Sequence, residues 1–124
     1  MKLSSVVSLL SGSMSAKDFS AEIAAELEPH LKGLSVVGGI APVVSVEDAD
    51  VLLDPKGLAE LCRLFTSGEL TAEELAYTVD VLQMSDRAEC SDQSVVDDLF
   101  LCGDPDINGP MTVERASEIA NRNA

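Results

Sequence analysis

The sequence predicts an all-α fold, a single compact domain of about five to six short helices over residues 1–124. The strongest observation is an eight-residue pattern that occurs three times: a glycine, any residue, Leu or Met, then Ser or Thr. The copies are residues 12–19, 68–75 and 109–116. Because glycine ends a helix in the left-handed conformation and a hydroxyl caps the next helix, each copy indicates a sharp helix boundary. A second observation is the spacing of apolar residues at three and four positions, which is typical of helices with one buried face.

The first two helices meet at Ser15. One is expected over residues 2–11, and the next begins after Ser15, with apolar residues at four-residue intervals from Phe19 to Leu31. Pro29 is expected to end or kink this second helix, because the residue before a proline disfavours the helical conformation.

Residues 34–46 interrupt the helical pattern. Their β-branched residues flank Gly38 and Gly39, which suit the two-residue turn of a hairpin. Pro42 would confine the second strand to a sheet edge. The segment therefore predicts either a small β-hairpin or an ordered apolar loop, and the residues leave both open.

The remaining helices follow from caps and apolar periodicity. Asp54 followed by proline is a strong helix start, and Gly68 closes that helix. The next helix runs over about residues 72–84, a further one over 94–101, and the last begins at Thr112. The apolar side chains expected to face inward on the 94–101 helix are Val95, Val96, Leu99 and Phe100.

The helix over residues 72–84 is apolar on two faces. The two sets are Leu75, Val79 and Leu82 on one side and Tyr77, Val81 and Met84 on the other. Two apolar faces favour a central position in a helical domain. The second set also supports an alternative, a structural protein that associates with itself through this face.

The charge of the chain is strongly negative and unevenly distributed. The formal net charge is −14, and residues 46–124 contain 18 acidic and five basic residues. Such a field repels nucleic acid and anionic membranes, so we expect neither as a partner. It favours a cationic partner or serves solubility alone.

The cysteines and the first residues bear on the compartment. Cys62, Cys90 and Cys102 have no metal-binding spacing, and their odd number predicts reduced, buried thiols in the cytoplasm. Residues 1–10 combine one lysine with a short apolar stretch, as a weak secretory signal would, but their apolar residues fall on one helical face. No apolar run approaches the roughly 20 residues that cross a bilayer.

The residues of known catalytic motifs are missing. His30 is the single histidine, and it has no partner motif, so a surface or capping role is expected for it. No nucleophile elbow, zinc-protease motif or phosphate loop occurs. The sequence therefore predicts a protein that is not an enzyme and has no cofactor.

One segment matches part of a calcium-binding loop. Asp104, Asp106 and Asn108 stand at the first, third and fifth positions of an EF-hand pattern, with Gly109 at the sixth. The twelfth position, which should be a bidentate acid, is Arg115. The same residues are common in tight turns between helices, so a calcium-binding module is an alternative and a simple turn is favoured.

An acidic surface is expected near the only tyrosine. A tyrosine ring supplies area that is desolvated on binding, and carboxylates steer a cationic protein toward it. The alternative is that the ring packs in the core and the acids form a solvated face. The candidate partner-binding residues are Tyr77, Asp80, Asp86, Glu89, Asp92, Asp97 and Asp98.

This combination resembles, in type, the small acidic helical immunity proteins of bacteria. The segment from Tyr77 to Asp98 is the part that looks like their binding face, although Tyr77 is followed by Thr78 where nuclease-colicin immunity proteins have a second tyrosine. The resemblance implies a non-enzymatic protein that binds and neutralises a basic toxin domain. No diagnostic motif carries it, and the calcium-binding and self-associating alternatives stand beside it.

Overall fold

The computed structural model describes residues 1–124 and is mostly helical, with one small sheet. The helices are α1 Leu3–Ser11, α2 Ala16–Leu34, α3 Pro55–Thr66, α4 Ala72–Met84, α5 Gln93–Cys102, α6 Pro105–Asn108 and α7 Val113–Asn123. The strands are β1 Val51–Leu53 and β2 Ala88–Cys90. The predicted helices are all present, and the single turn of α6 is an addition to them.

The repeated pattern forms a helix boundary in all three places. Gly12, Gly68 and Gly109 have φ values of +83°, +82° and +75°. In each copy the hydroxyl three residues after the glycine accepts a hydrogen bond from the first turn of the next helix. At Thr71 the bonding is reciprocal, because the Glu74 carboxylate accepts from the Thr71 N–H at 2.9 Å. The prediction of three capped corners is confirmed, although Gly109, with φ +75° and ψ 168°, lies outside the left-handed helical region.

The sequence predicts that Pro29 ends or kinks α2, and the helix continues through it, so an end at Pro29 is wrong. A proline in a helix interior costs about 3 kcal/mol. The following turn gains tertiary contacts, because His30 is buried and its Nδ1 lies 3.1 Å from the Pro42 carbonyl oxygen. The rings of His30 and Tyr77 also meet edge to face, with centroids 4.8 Å apart. We attribute the continuation of α2 to these contacts.

The sheet is a departure from an all-α fold. Strands β1 and β2 pair in parallel, with Val51 opposite Ala88 and Leu53 opposite Cys90. Parallel strands need a crossover connection, and here α3 and α4 provide it. Each strand has three residues, which is too short for a period-two pattern to be visible in the sequence.

Residues 34–46 form an ordered loop and not a hairpin. The one backbone bond within the segment is a turn, from the Gly39 N–H to the Val36 carbonyl oxygen, and no strand ladder forms. The later residues bond to other parts of the chain: the Val44 N–H donates to the Tyr77 hydroxyl oxygen, and the Val46 N–H donates to the Met1 carbonyl oxygen. The loop returns closely over the end of α2. A Cβ atom at Gly33 would lie 2.0 Å from the Ile40 carbonyl oxygen, so a residue without a side chain is required there.

The buried apolar residues form one cluster that extends from Met1 to Ala120. Helix α4 is buried on both of its apolar sides, which confirms its predicted central position. Helix α7 packs most extensively on α3. Val96 and Phe100 of α5 are exposed and not inward as expected, whereas Val95 and Leu99 are buried. None of the helices combines the length and apolar character that a membrane span needs.

Candidate functional site

Tyr77 lies in the core, which corrects its expected place on the binding surface. Its side chain has no exposed area. The phenolic oxygen accepts from the Val44 N–H at 3.0 Å, and the hydroxyl donates to Glu26 Oε1 at 3.0 Å. Burial, with the neighbouring carboxylate of Glu26, raises the pKa of Tyr77 to about 12. The residue therefore joins the 34–46 loop to α4 and α2.

Asp80 lies one turn after Tyr77 and faces His30. The distance from Asp80 Oδ2 to His30 Nε2 is 3.8 Å, and the Asp80 side chain is 31% exposed. Partial burial raises the pKa of Asp80, and the nearby imidazole opposes that shift. His30 is thus a buried residue with a carboxylate neighbour, which corrects its expected surface or capping role. Its spacing of seven residues from the buried Ile23 indicates this face once α2 is known to continue.

Two of the predicted partner-binding acids have structural partners. Asp92 is the N-cap of α5, with Oδ1 accepting from the Val95 N–H at 3.0 Å. The Asp98 carboxylate accepts from the guanidinium group of Arg122 and from the Asn123 amide, and these bonds attach α7 to α5. The Arg122 bond is the main reason that the pKa of Asp98 is lowered. These carboxylates are therefore less available to a partner than expected.

The other three candidate acids between Asp86 and Asp98 are exposed. Asp86 and Glu89 lie before and within β2, and Asp97 accepts one hydrogen bond from Gln93 Nε2 at 2.9 Å. The structure therefore divides the seven candidates into the core residue Tyr77, the half-buried Asp80 beside His30, two structural carboxylates and three exposed carboxylates. Contact of the exposed group with a partner stays a prediction.

A cleft of about 620 Å³ lies on one side of α4. One wall comes from the end of α2 and the following loop, and the other from the segment that includes the end of α5, helix α6 and Met111. Eleven of its 21 lining residues are hydrophobic. The α4 residues in the lining are Ala72, Glu73, Ala76, Asp80, Gln83 and Met84. A cleft of this size and composition is the usual form of a binding site.

The charged groups of the cleft are almost all acidic. Its carboxylates are Glu73, Asp80, Asp104 and Asp106, and no lysine or arginine lines it. The only other ionisable side chains in the lining are those of His30 and Cys102. The cleft is therefore suited to a ligand that carries positive charge.

Large apolar side chains are exposed in and beside the cleft. Met84 is 66% exposed and Phe100 is 46% exposed, and both line it. Leu34 also lines the cleft, and in the loop that follows it Val37 and Ile40 are almost fully exposed. Clustered exposed apolar groups mark an interaction surface more often than scattered ones do. Of the face proposed for self-association, only Met84 reaches this surface, since Tyr77 and Val81 are buried.

The segment with the partial calcium pattern is not an open loop. Residues Pro105–Asn108 form one helical turn, and Asp104 caps it by accepting from the Asp106 N–H at 3.2 Å. The Asn108 amide donates to the Phe100 and Gly103 carbonyl oxygens at 2.9 and 2.8 Å, which satisfies the end of α5. No group of three or more His, Cys, Asp or Glu side chains is arranged to hold a metal. The simple interhelical turn that the sequence favoured accounts for these residues.

The cysteines are free, and two of them are neighbours. Cys62 and Cys102 are buried with their sulfur atoms 3.8 Å apart, whereas Cys90 is half-buried. The hydrogen bond between the two thiols lowers the pKa of Cys62 and raises that of Cys102. Their hydrogen bonds include no histidine, lysine or arginine, so the geometry shows no base that would activate a nucleophile.

Sequence patterns did not identify the cleft. The sequence predicts that Phe100 faces inward, and it places Met84 on one apolar face with Tyr77 and Val81, which are buried. Ala72 and Ala76 carry no chemical signal of their own. Met84 stands three residues after the buried Val81, the spacing of a core position, so no sequence signal separates it from the core.

Compared with protein-family models, with curated proteins and with solved structures, the chain matches none of them.

Proposed function

We propose that this chain is a non-enzymatic protein that binds a basic protein and neutralises it, in the manner of an immunity protein against a bacterial toxin. The observation that carries the proposal is the cleft beside α4, which combines exposed apolar side chains with four carboxylates and no lysine or arginine. A ligand that fills it must present both apolar area and positive charge. Basic protein surfaces supply that combination.

The charge of the whole chain supports the same partner. A net charge of −14 creates a long-range field that accelerates association with a cationic protein and repels nucleic acid. The exposed Asp86, Glu89 and Asp97 contribute to this field without lining the cleft. In the proposal they increase the association rate, whereas the cleft residues determine how long the complex lasts.

The first experiment is capture of the partner by the tagged protein from lysate of the native source, at about 50 and about 500 mM salt, with identification by mass spectrometry. We expect one basic protein at a near-stoichiometric level, with partial loss at high salt. The recovered protein, expressed alone, should arrest growth, and co-expression of this chain should restore growth. Recovery of no basic protein, or of one whose activity this chain leaves unchanged, would contradict the proposal.

Two matched charge reversals locate the binding surface. Glu73→Lys with Asp106→Lys changes the cleft, and Asp86→Lys with Glu89→Lys makes the same change in net charge outside it. We expect the first pair to abolish capture, and the second to slow association while the complex still forms. If the second pair abolishes capture and the first does not, the partner binds the acids near β2 and not the cleft.

A further inference from the structure

The cleft follows one face of α4 over nearly its full length. The lining residues from Ala72 to Met84 are separated by one, three or four positions, so they share one side of the helix. At 1.5 Å per residue this face is about 18 Å long, which equals about three helical turns. The cleft is therefore an elongated groove and not a round pocket.

Small side chains of α4 line the floor of the groove. Ala72 and Ala76 are four residues apart on α4 and have no side-chain atoms beyond Cβ. Helices pack with their axes 8–10 Å apart, and small residues at the contact allow the shorter end of that range. Leu34 on one wall and Phe100 on the other are exposed at the sides of this floor.

The walls do not favour an extended peptide. A strand binds by pairing with the free edge of a sheet, and neither β1 nor β2 contributes a residue to the lining. Between its first and last turns, the backbone groups of α4 are paired within the helix and are not available to a second chain. A helix satisfies its own backbone, so it needs only side-chain contacts with the groove.

The carboxylates of the groove indicate which charge the bound helix carries. Glu73 lies near the start of the groove, Asp80 about two helical turns further along, and Asp104 and Asp106 along one wall. Since no lysine or arginine opposes them, an occupant gains by placing Lys or Arg beside its apolar face. The long stems of these residues also cover exposed apolar surface.

We propose that the groove binds one amphipathic, basic α-helix of the partner, about three turns long, with apolar residues at i, i+4 and i+7 against Ala76, Met84 and Phe100. This inference rests on the proposed function and specifies which part of the basic protein is recognised. The binding mode is a helix in a groove, in which apolar anchors give affinity and flanking charges give orientation.

The probe is a capped, fluorescein-labelled peptide of about 14 residues with leucines at i, i+4, i+7 and i+11 and lysines at the flanking positions. A second peptide has the same composition in scrambled order. Fluorescence anisotropy at about 50 and about 300 mM salt separates apolar docking from general charge attraction. We expect the patterned peptide to bind about tenfold more tightly than the scrambled one, with a difference that survives the higher salt.

Two variants test the location. Ala76→Phe fills the floor of the groove, and Ala24→Phe makes the same substitution at an exposed position of α2 outside it. We expect Ala76→Phe to lose about tenfold in affinity and Ala24→Phe to bind like the unmodified protein. Met84→Ala is a second test that does not depend on the folding of Ala76→Phe, because Met84 is 66% exposed. It should weaken binding by about fivefold.

The outcomes separate this inference from the proposed function. If both peptides bind equally and are released by salt, or if Ala76→Phe and Met84→Ala bind normally, the helical groove is wrong while capture of a basic protein still supports the proposed function. If the patterned peptide binds in the groove but no basic protein is captured, the groove is supported and the neutralising function is not.

Discussion

Replacing Tyr77 by phenylalanine removes one oxygen atom and leaves the buried ring in place. The hydroxyl has two partners, the Val44 N–H and Glu26 Oε1, each at 3.0 Å. The substitution therefore tests whether Tyr77 fixes the 34–46 loop to the helices. It does not alter the apolar packing or the surface charge.

The expected cost follows from the environments of those partners. A hydrogen bond to a charged acceptor such as Glu26 contributes about 1.5–3 kcal/mol, and a neutral bond about 0.5–1.5 kcal/mol. Val44 is half exposed, so water can replace part of its lost bond. The Glu26 carboxylate keeps a second donor, the amino group of Met1. We therefore expect Tyr77→Phe to lower the free energy of unfolding by about 2 kcal/mol, which lowers Tm by roughly 8 °C.

The pH dependence of stability provides a second, independent test of the Tyr77 hydroxyl. The pKa of Tyr77 rises from the ordinary value of 10.0 to about 12, because burial and Glu26 disfavour the phenolate. Because the pKa is higher in the folded protein, the protonated hydroxyl of Tyr77 contributes fully to the free energy of unfolding below pH 10. This contribution is lost as the pH rises toward 12. The free energy of unfolding falls by about 3 kcal/mol in total over this range. The Tyr77→Phe variant has no ionisable group at this position, so it does not undergo this loss.

Urea unfolding followed by far-UV circular dichroism measures both effects. At pH 7 the unmodified protein should be more stable by about 2 kcal/mol, and this difference should shrink steadily between about pH 10 and 12. Equal stabilities at pH 7 would refute the role of the hydroxyl. A difference that stays constant up to pH 12 would refute the buried, carboxylate-bound environment of the phenol.

Four further predictions concern other parts of the fold. Asp98→Asn should lower the free energy of unfolding by about 1 kcal/mol because it weakens the ion pair with α7, whereas the exposed Asp97→Asn should change it by less than about 0.5 kcal/mol. Thr71→Ala should cost about 1 kcal/mol through the lost capping box, measured by urea unfolding. Gly33→Ala should cost about 2 kcal/mol and shift the amide NMR signals of the loop, because a Cβ would lie 2.0 Å from a backbone oxygen. Millimolar calcium should leave Tm unchanged, since residues 104–108 are occupied by a helical turn; a rise in Tm would restore the calcium-binding alternative.

The helix boundaries were predictable because their chemistry is local. A glycine followed three residues later by a hydroxyl defines each corner without reference to the rest of the chain. The same local reasoning failed at Pro29, where contacts of His30 with Pro42 and Tyr77 support a helix that proline disfavours. Helix propensity gives the cost of the proline, but the compensating contacts of His30 come from Pro42 and Tyr77, which are 12 and 47 positions after His30.

The strands and the cleft were not predictable for a related reason. Val51–Leu53 pairs with Ala88–Cys90 across two intervening helices, and three residues carry too little pattern to indicate such a pairing. The cleft combines single residues of several elements, and Ala76 has meaning there only because of its neighbours. The acidic composition favours a cationic partner, which stays a prediction, whereas the position of the groove depends on tertiary structure.

The packing of α7 on α3 has a consequence for synthesis of the chain. Roughly 50 residues separate the two helices. At 5–20 residues per second the ribosome needs about 3–10 s to synthesise these intervening residues. During that interval the apolar face of α3 has no α7 to cover it, although α1, α4 and the β1 strand can already assemble around it. The last helix therefore completes the core after most of the chain has emerged, and a nascent chain paused in this interval exposes the surface that chaperones bind.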